Sequence, residues 1–264
     1  MLRALLNTVP IGLIMFVAVC LSLAVTVLAV WLIRRAVPVT RDGFHAEVSG
    51  SMLGVVAAVF GLLLAFVIVI AYQNFIDADD NASREAAALS AIVRDSAAFP
   101  EPGGGNVRRS VGVYVRSVVE DEYPRMRDGT DSDAARAGLD GIYSAFRTVE
   151  PRTAEQKAFY DDAIRQLNDA LDARRNRIQS AVGGLPWDIA ILILFSSFVV
   201  VAYAVLVGSP SFWFHLLGPG AIAAVVAVSL VVLIDLSYPF SGDFAIPPDD
   251  FHTGALQPFF DSAT

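Results

Sequence analysis

An acidic cluster is the first group of residues whose types and spacing could do chemistry. It consists of Asp77, Asp79, Asp80, Asn81 and Glu85, and it follows a long apolar run. Calcium takes six to eight oxygen ligands, and Asp77, Asp79 and Asn81 match the start of an EF-hand loop. Alanines occupy the places of the required glycine and the closing glutamate. Two interpretations stay open. The cluster is a collar of water-exposed charges on the helix, or its carboxylates contact ions at a pore vestibule. In the vestibule they would concentrate cations and repel anions.

Four aspartates near the end of the chain form a second group. Asp235 ends the last apolar run, where an ionisable group at membrane depth would be expensive and functional. The Ser-Tyr-Pro turn that follows favours a position at the membrane–water interface, with an ion contact as the alternative. Asp243 is a further candidate ion contact, and together with Asp249 and Asp250 it forms a weak candidate calcium site. No other cofactor is indicated.

Glu85 has a third interpretation besides collar and vestibule. It could pair with an arginine across the helical middle section, and Arg174 and Arg175 are the candidate partners. The alternative is an exposed carboxylate that pairs within its own helix.

The sequence contains no motif typical of an enzyme or of a nucleic-acid-binding protein. His45, His215 and His252 lie in three separate segments without metal-ligand spacing. There is no nucleophile elbow, zinc-protease motif or phosphate loop. The formal net charge is −8, and no basic stripe that could bind nucleic acid is present. We therefore predict that the protein is not an enzyme.

Four long apolar runs must position these residues. Hydrophobic residues make up 55% of the chain and charged residues only 17%. Each run has about the 20 residues needed to cross a bilayer. The first is too long for a cleaved signal peptide, so we interpret it as a retained helix. The predicted membrane helices span about 9–34, 52–73, 187–208 and 219–236.

These runs predict an all-α protein of four segments. They are a first transmembrane hairpin, an inserted α-helical domain, a second hairpin and a C-terminal tail. The inserted domain is expected to be continuous with the second membrane helix and, through its fourth helix, with the third. Arginines near the membrane ends favour a cytoplasmic domain and cytoplasmic termini, in a multi-pass protein of the inner (plasma) membrane. The predicted bounds are 1–75, 76–186, 187–238 and 239–264.

The inserted domain carries helical periodicity throughout. The second membrane helix has no breaker until the Pro-Glu-Pro-Gly-Gly-Gly stretch at 100–105, which predicts a stop. The next amphipathic helix is predicted to end at Pro124. Thr153 and Gln156 have capping-box spacing and predict the start of the fourth helix.

A stripe of apolar residues shares one face of the second membrane helix. Ala58, Leu62 and Phe66 follow one another at intervals of four residues. A hydrophobic ring repeated by symmetry can close a pore by dewetting. The alternative is that these side chains face lipid or pack in the bundle, as in any membrane helix.

Two segments resemble a known family. One is the apolar stretch 60–75, which leads into a Glu-Ala-x-x-Leu pattern at Glu85–Leu89; the other is the Pro-Phe-x-Gly turn within residues 236–244. They are similar to a bestrophin-like family of bacterial membrane proteins and, more distantly, to bestrophin anion channels. The resemblance implies a pentamer, a pore lined by the second helix and an acidic calcium clasp after the turn. Ala65 stands where bestrophins have glycine, and the continuous acidic run after the turn is missing.

The sequence leaves two functions open. The first is an oligomeric ion channel in the lipid bilayer, pentameric and anion-conducting by resemblance. The alternative is a non-conducting membrane scaffold or signalling protein whose helical domain binds a cytoplasmic partner.

Overall fold

The computed structural model describes residues 2–36, 46–207, 209 and 211–261, and every regular element in these ranges is helical. Four of the helices are long and apolar enough to cross a membrane. The predicted all-α class with four membrane-length helices is therefore confirmed. The α-helices are α1 (Leu2–Thr8), α2 (Ile11–Ala36), α3 (Ala46–Asp95), α4 (Gly103–Ser117), α5 (Tyr123–Met126), α6 (Asp133–Phe146), α7 (Ala154–Val182), α8 (Trp187–Leu206), α9 (Phe212–Leu236) and α10 (Pro258–Asp261).

The described residues form two compact units. The membrane unit comprises residues 8–73 and 185–237, and the helical unit comprises residues 1–7, 74–184 and 238–264. The long helix α3 contributes its first part to the membrane unit and its second part to the helical unit.

The membrane unit is built from α2, the first part of α3, α8 and α9. Its core contains Phe60 and Leu64 of α3, Ile193 of α8, and Val226 and Leu233 of α9. Most other large apolar side chains of these helices point outward. Such helices satisfy their backbone hydrogen bonds internally, so their apolar exteriors suit hydrocarbon rather than water. The chain is therefore a multi-pass membrane protein.

Two membrane helices begin earlier than the sequence predicts. α3 starts at Ala46 instead of residue 52, and α9 starts at Phe212 instead of residue 219. Pro219 lies inside α9. A proline cannot donate to the carbonyl four residues earlier, but membrane helices tolerate this loss because neighbouring groups satisfy the freed carbonyl. Residues 37–45, half of the predicted connection between the first two membrane helices (34–51), fall outside the described residues, and so does His45.

The core of the helical unit combines α3, α4, α6 and α7 with the C-terminal segment. The predicted tail is not a peripheral extension. Four apolar side chains after the last membrane helix are buried in this core: Phe240, Ile246, Phe251 and Leu256.

Pro124 does not end a helix, contrary to the sequence-based prediction. One π-helical turn, Val118–Glu122, joins α4 to α5, and Pro124 is the second residue of α5. The N–H of Tyr123 donates to the carbonyl of Val118, five residues earlier. The wider turn relieves the proline ring of its clash with the preceding turn, so the helical path continues.

The predicted stop at 100–105 is shorter than expected, because Gly103 already begins α4. Gly104 lies against the short 3-10 helix Ser96–Ala98 that follows α3: a Cβ there would be 2.5 Å from the carbonyl oxygen of Ser96. Only glycine permits this close approach of the two backbones.

Candidate functional site

The first part of α3 presents an exposed apolar face in the membrane unit. Leu62 and Phe66 are each 61% exposed, and Ala58 is exposed as well. Phe60 and Leu64 point the other way, into the core of the unit. The three predicted pore-lining residues are therefore accessible in the single chain. Their role in a pore stays a prediction.

A second stripe on α3 consists only of small residues, exposed except for the half-buried Gly50, and the sequence analysis missed it. Its members recur at intervals of four, four, three and four residues: Gly50, Gly54, Ala58, Gly61 and Ala65. A Cβ built on any of the three glycines would meet no atom within 4 Å. Small residues with this spacing let membrane helices approach one another closely. The spacing itself was the signal that could have revealed the stripe.

Three of the predicted vestibule residues, Asp77, Asp79 and Asp80, are exposed in the helical unit. Partial burial, followed by the carboxylates of Asp250 and Asp80, raises the pKa of Asp79. Asp250 also accepts a hydrogen bond from the hydroxyl of Ser83. The C-terminal segment therefore brings a carboxylate up to the acidic cluster.

Glu85 is not at a vestibule surface. Its side chain is fully buried and pairs with Arg177, and the predicted partners Arg174 and Arg175 are wrong. Arg174 pairs with Glu122 instead, and Arg175 lies at the surface beside Asp172. Of the alternatives left open for Glu85, the ion pair across the helical domain is the one observed, with Arg177 as the partner.

Arg177 is the centre of a buried polar network. Its Nη2 donates to Oε1 of Glu122 at 2.6 Å, and Arg174 Nη2 donates to Oε2 of the same carboxylate at 2.5 Å. The hydroxyl of Tyr114 donates to Oε1 of Glu85 at 2.5 Å. Two carboxylates face two guanidinium groups, so the network has no net charge. It joins α3, α4, the π turn and α7.

Two members of this network, Arg177 and Tyr114, have pKa values shifted well upward. Burial lowers the pKa of Arg177, but the charges of Glu85 and Glu122 raise it by more, so the net shift is well upward. Burial and the charge of Glu85 raise the pKa of Tyr114 well above its ordinary value. Arg177 therefore stays charged and Tyr114 stays neutral at physiological pH. The network serves as a rigid clasp rather than as an acid–base centre.

Sequence reasoning missed Arg177, Glu122 and Tyr114 as members of this network. The available signal lay in α7, where Arg174 and Arg177 follow the apolar spacing of that helix, in line with buried Leu167. A charged residue at such a position is buried only when it is paired.

The remaining predicted site residues are divided between the two units. Asp235 is 6% exposed and lies near the end of α9 in the membrane unit. Asp243 and Asp249 are exposed in the helical unit. Among the residues that the structure describes, no group of three or more acidic, histidine or cysteine side chains could hold a metal ion. The calcium site at Asp243, Asp249 and Asp250 stays a prediction.

Solved structures with the same fold are membrane proteins. Two point mutants of a bacterial bestrophin homologue from Klebsiella pneumoniae align with TM-scores of 0.68 and 0.67, each at 11% identity. The alignments cover 94% and 93% of this chain and 99% of each homologue. A structure described as a membrane protein aligns with a TM-score of 0.66 over 92% of this chain and 97% of its own. A search of the curated proteins found no match.

A family model matches most of the chain. The model of the Bestrophin-like domain matches residues 20–251, which include α3, the clasp around Arg177 and the turn at Phe240. That range covers most of the chain and both of its units. The chain belongs to the Bestrophin-like domain family.

Proposed function

We propose that this chain forms a homo-oligomeric ion channel in the cell's inner membrane, in which copies of α3 line an axial pore. The observation that carries the proposal is the exposed surface of α3, where a stripe of small residues runs beside Leu62 and Phe66. Small residues allow close packing against a neighbouring copy, and large apolar residues can form a constriction. Membership of the Bestrophin-like family supports the same function.

Two finer features of the proposal, a pentameric assembly and conduction of anions such as chloride, follow from the resemblance. A third, the cytoplasmic location of the helical unit and both termini, follows from the arginines near the membrane ends. Leu62 and Phe66 would form the narrowest part of the pore, where a ring of apolar side chains excludes water and stops ions.

Single-channel recording tests the constriction. The purified full chain is reconstituted into planar bilayers, and Phe66→Ala is compared with the parent chain. Phe198→Ala is the matched control, because Phe198 is 70% exposed on α8. We expect Phe66→Ala to raise the conductance or the open probability and Phe198→Ala to change neither. Absence of current from all three proteins contradicts conduction.

The oligomeric state tests the assembly separately. Native mass spectrometry of the detergent-solubilised chain is expected to show five copies. A monomer would overturn the channel proposal, since one copy of α3 cannot enclose a pore.

A second candidate function is a membrane scaffold that binds a cytoplasmic partner. It is favoured by an open groove of about 550 Å³ in the helical unit, lined by Asn81, Arg84, Gln166, Asp169 and other residues of α3 and α7. A stoichiometric cytoplasmic protein that co-purifies with the chain and is lost on Asp169→Arg would support this function.

A further inference from the structure

An apolar cavity with one cationic residue lies in the helical unit, beside α5 and the C-terminal segment. It measures about 340 Å³, at the lower end of the range for small-molecule sites. Of the described residues that line it, eight are apolar or aromatic, and the ninth is Arg127. Tyr123 and Phe240 are two of the eight, and their ring centroids are 5.9 Å apart. The cavity therefore suits a small ligand with an apolar body.

The walls of this cavity are held in place before any ligand binds. The N–H of Ile246 donates to the carbonyl of Pro239 at 2.9 Å and closes the loop between them. The hydroxyl of Ser241 in this loop donates to the carbonyl of Arg127 at 2.7 Å, which joins the two walls. Phe240 and Ile246 are buried in the core of the unit. A preformed cavity loses less conformational entropy when a ligand binds.

Arg127 supplies a positive charge that is available to a ligand. Its carbonyl also accepts a hydrogen bond from the side chain of Asn7, so the backbone is fixed. Its exposed guanidinium forms no salt bridge or hydrogen bond with any residue that the structure describes. The neighbouring Arg125, by contrast, pairs with Asp121 at 2.8 Å. An unpaired guanidinium can hold a carboxylate through two parallel hydrogen bonds.

The rest of the lining offers few competing hydrogen-bond donors. Pro124, Pro247 and Pro248 belong to it, and a proline has no backbone N–H. Tyr123 and Phe240 supply aromatic surface, on which another ring gains contact energy beyond simple burial. The chemistry of the cavity therefore favours a ligand with one carboxylate and one aromatic ring.

We propose that this cavity binds a small aromatic carboxylate, with the carboxylate at Arg127 and the ring against the apolar lining. At roughly 30 Å³ per water-sized group, the cavity holds about ten such groups. Phenylacetate has that size, whereas a whole nucleotide or phospholipid is too large. The ligand would contact both walls and so brace the C-terminal segment against α5. The proposal is independent of ion conduction.

Titration by fluorine NMR tests the site with para-fluorophenylacetate as the probe. Line broadening of the probe reports binding, and the purified full chain in detergent is compared with protein-free micelles. We expect a dissociation constant of about 1 mM or tighter, within the range for ligands of this size. The neutral para-fluorophenylacetamide keeps the ring and loses the charge, so it should bind about tenfold more weakly. Hexanoate keeps the charge and lacks the ring, so it should compete about fivefold more weakly.

The substitution Arg127→Gln isolates the charge, because the backbone carbonyl that holds this segment is kept. We expect it to weaken binding of para-fluorophenylacetate about tenfold. Arg147→Gln removes an exposed arginine of the same unit and is the matched control, which should change nothing. Ala245→Leu fills the cavity from a half-buried lining position and should weaken binding by at least about tenfold while Arg127 stays. Elution as in the parent chain checks that each variant is folded.

Four results would overturn the proposal. Equal binding of the carboxylate and the amide, or equal effects of Arg127→Gln and Arg147→Gln, would exclude recognition of the charge at Arg127. Unchanged binding by Ala245→Leu would place the probe elsewhere, and equally tight binding of hexanoate would exclude an aromatic ligand. None of these measurements depends on ion flow, so they decide the matter whether or not the chain conducts.

Discussion

Arg177 donates two hydrogen bonds to the carboxylate of Glu85, from Nε to Oε2 at 2.7 Å and from Nη2 to Oε1 at 3.2 Å. The pair connects the second part of α3 with α7. The guanidinium also lies 5.2 Å from the ring centroid of Tyr123 and 5.8 Å from that of Phe251. Charge pairing and ring contacts thus converge on one fully buried side chain, and the stability of the helical unit should depend on it.

Arg177→Met should destabilise the helical unit severely. It leaves the buried carboxylate of Glu85 without its cation and leaves Glu122 with Arg174 alone, which costs about 3–5 kcal/mol. Arg175→Met is the matched control, since the Arg175 side chain is 71% exposed on the same helix; its effect should stay below about 0.5 kcal/mol. Denaturant titration of the purified chain, followed by circular dichroism, measures both. Equal effects would contradict the role of the clasp.

Phe251→Ala should show that the C-terminal segment is part of the core. Phe251 is fully buried, and its ring centroid is 5.9 Å from that of Tyr123. Removing a buried phenyl group costs about 3–5 kcal/mol. Phe244→Ala in the same segment is the control, because Phe244 is 62% exposed and its removal should be close to neutral. Thermal unfolding distinguishes the two variants, and a stable Phe251→Ala chain would refute this packing.

Tyr123→Phe should be neutral or stabilising by up to about 1–2 kcal/mol near neutral pH. The Tyr123 hydroxyl is buried, and among the described residues it has no hydrogen-bond partner. Because its desolvation is uncompensated, its removal relieves a cost. Free energies of unfolding of the two proteins at one pH provide the measurement.

The same substitution should change the alkaline limb of stability. Burial raises the pKa of Tyr123 above the ordinary 10.0. The unfolded chain therefore releases this proton at a lower pH than the folded chain does. This difference leaves the free energy of unfolding unchanged below pH 10 and lowers it as the pH rises further. Tyr123→Phe should unfold with a shallower dependence on pH above 10, and Tyr114→Phe/Tyr123→Phe with a shallower one still. Identical slopes in all three proteins would contradict the assignment.

Asp77→Asn/Asp80→Asn should favour anions if the chain conducts. Both carboxylates are exposed just past the membrane part of α3, where negative charge lowers the local anion concentration. At low salt we expect relative anion permeability to rise by roughly tenfold at most. Reversal potentials under a KCl gradient measure this, with Asp140→Asn on α6 as the control for charge. An unchanged reversal potential would place the pore away from these side chains.

Much of the fold could be predicted because its signals are local. An apolar run that is long enough to cross a bilayer identifies a membrane helix, and no knowledge of the neighbouring helices is needed. The start of α7 was also predicted correctly: the N–H of Gln156 donates to Thr153 Oγ1 at 3.1 Å. The N–H of Arg152 donates in turn to Oε1 of the Gln156 side chain at 2.9 Å.

The parts that sequence reasoning missed depend on contacts between distant segments. Arg174 and Arg177 lie on one face of α7 and Arg175 on another, but only the packing of α3 shows which of them meets Glu85. The burial of Phe251 likewise requires the final segment to return to a domain made earlier in the chain. Periodicity within one helix carries no information about such partners.

The position of Phe240, Ile246, Phe251 and Leu256 has a consequence for how the protein is made. These side chains are synthesised after α9, yet they complete the interior of a unit whose other helices leave the ribosome before α8. That unit therefore reaches its final packing only after the last membrane helix has been translated. Nascent chains that stall before residue 240 should expose an incomplete core to proteases, so damaged or truncated products can be removed before they assemble.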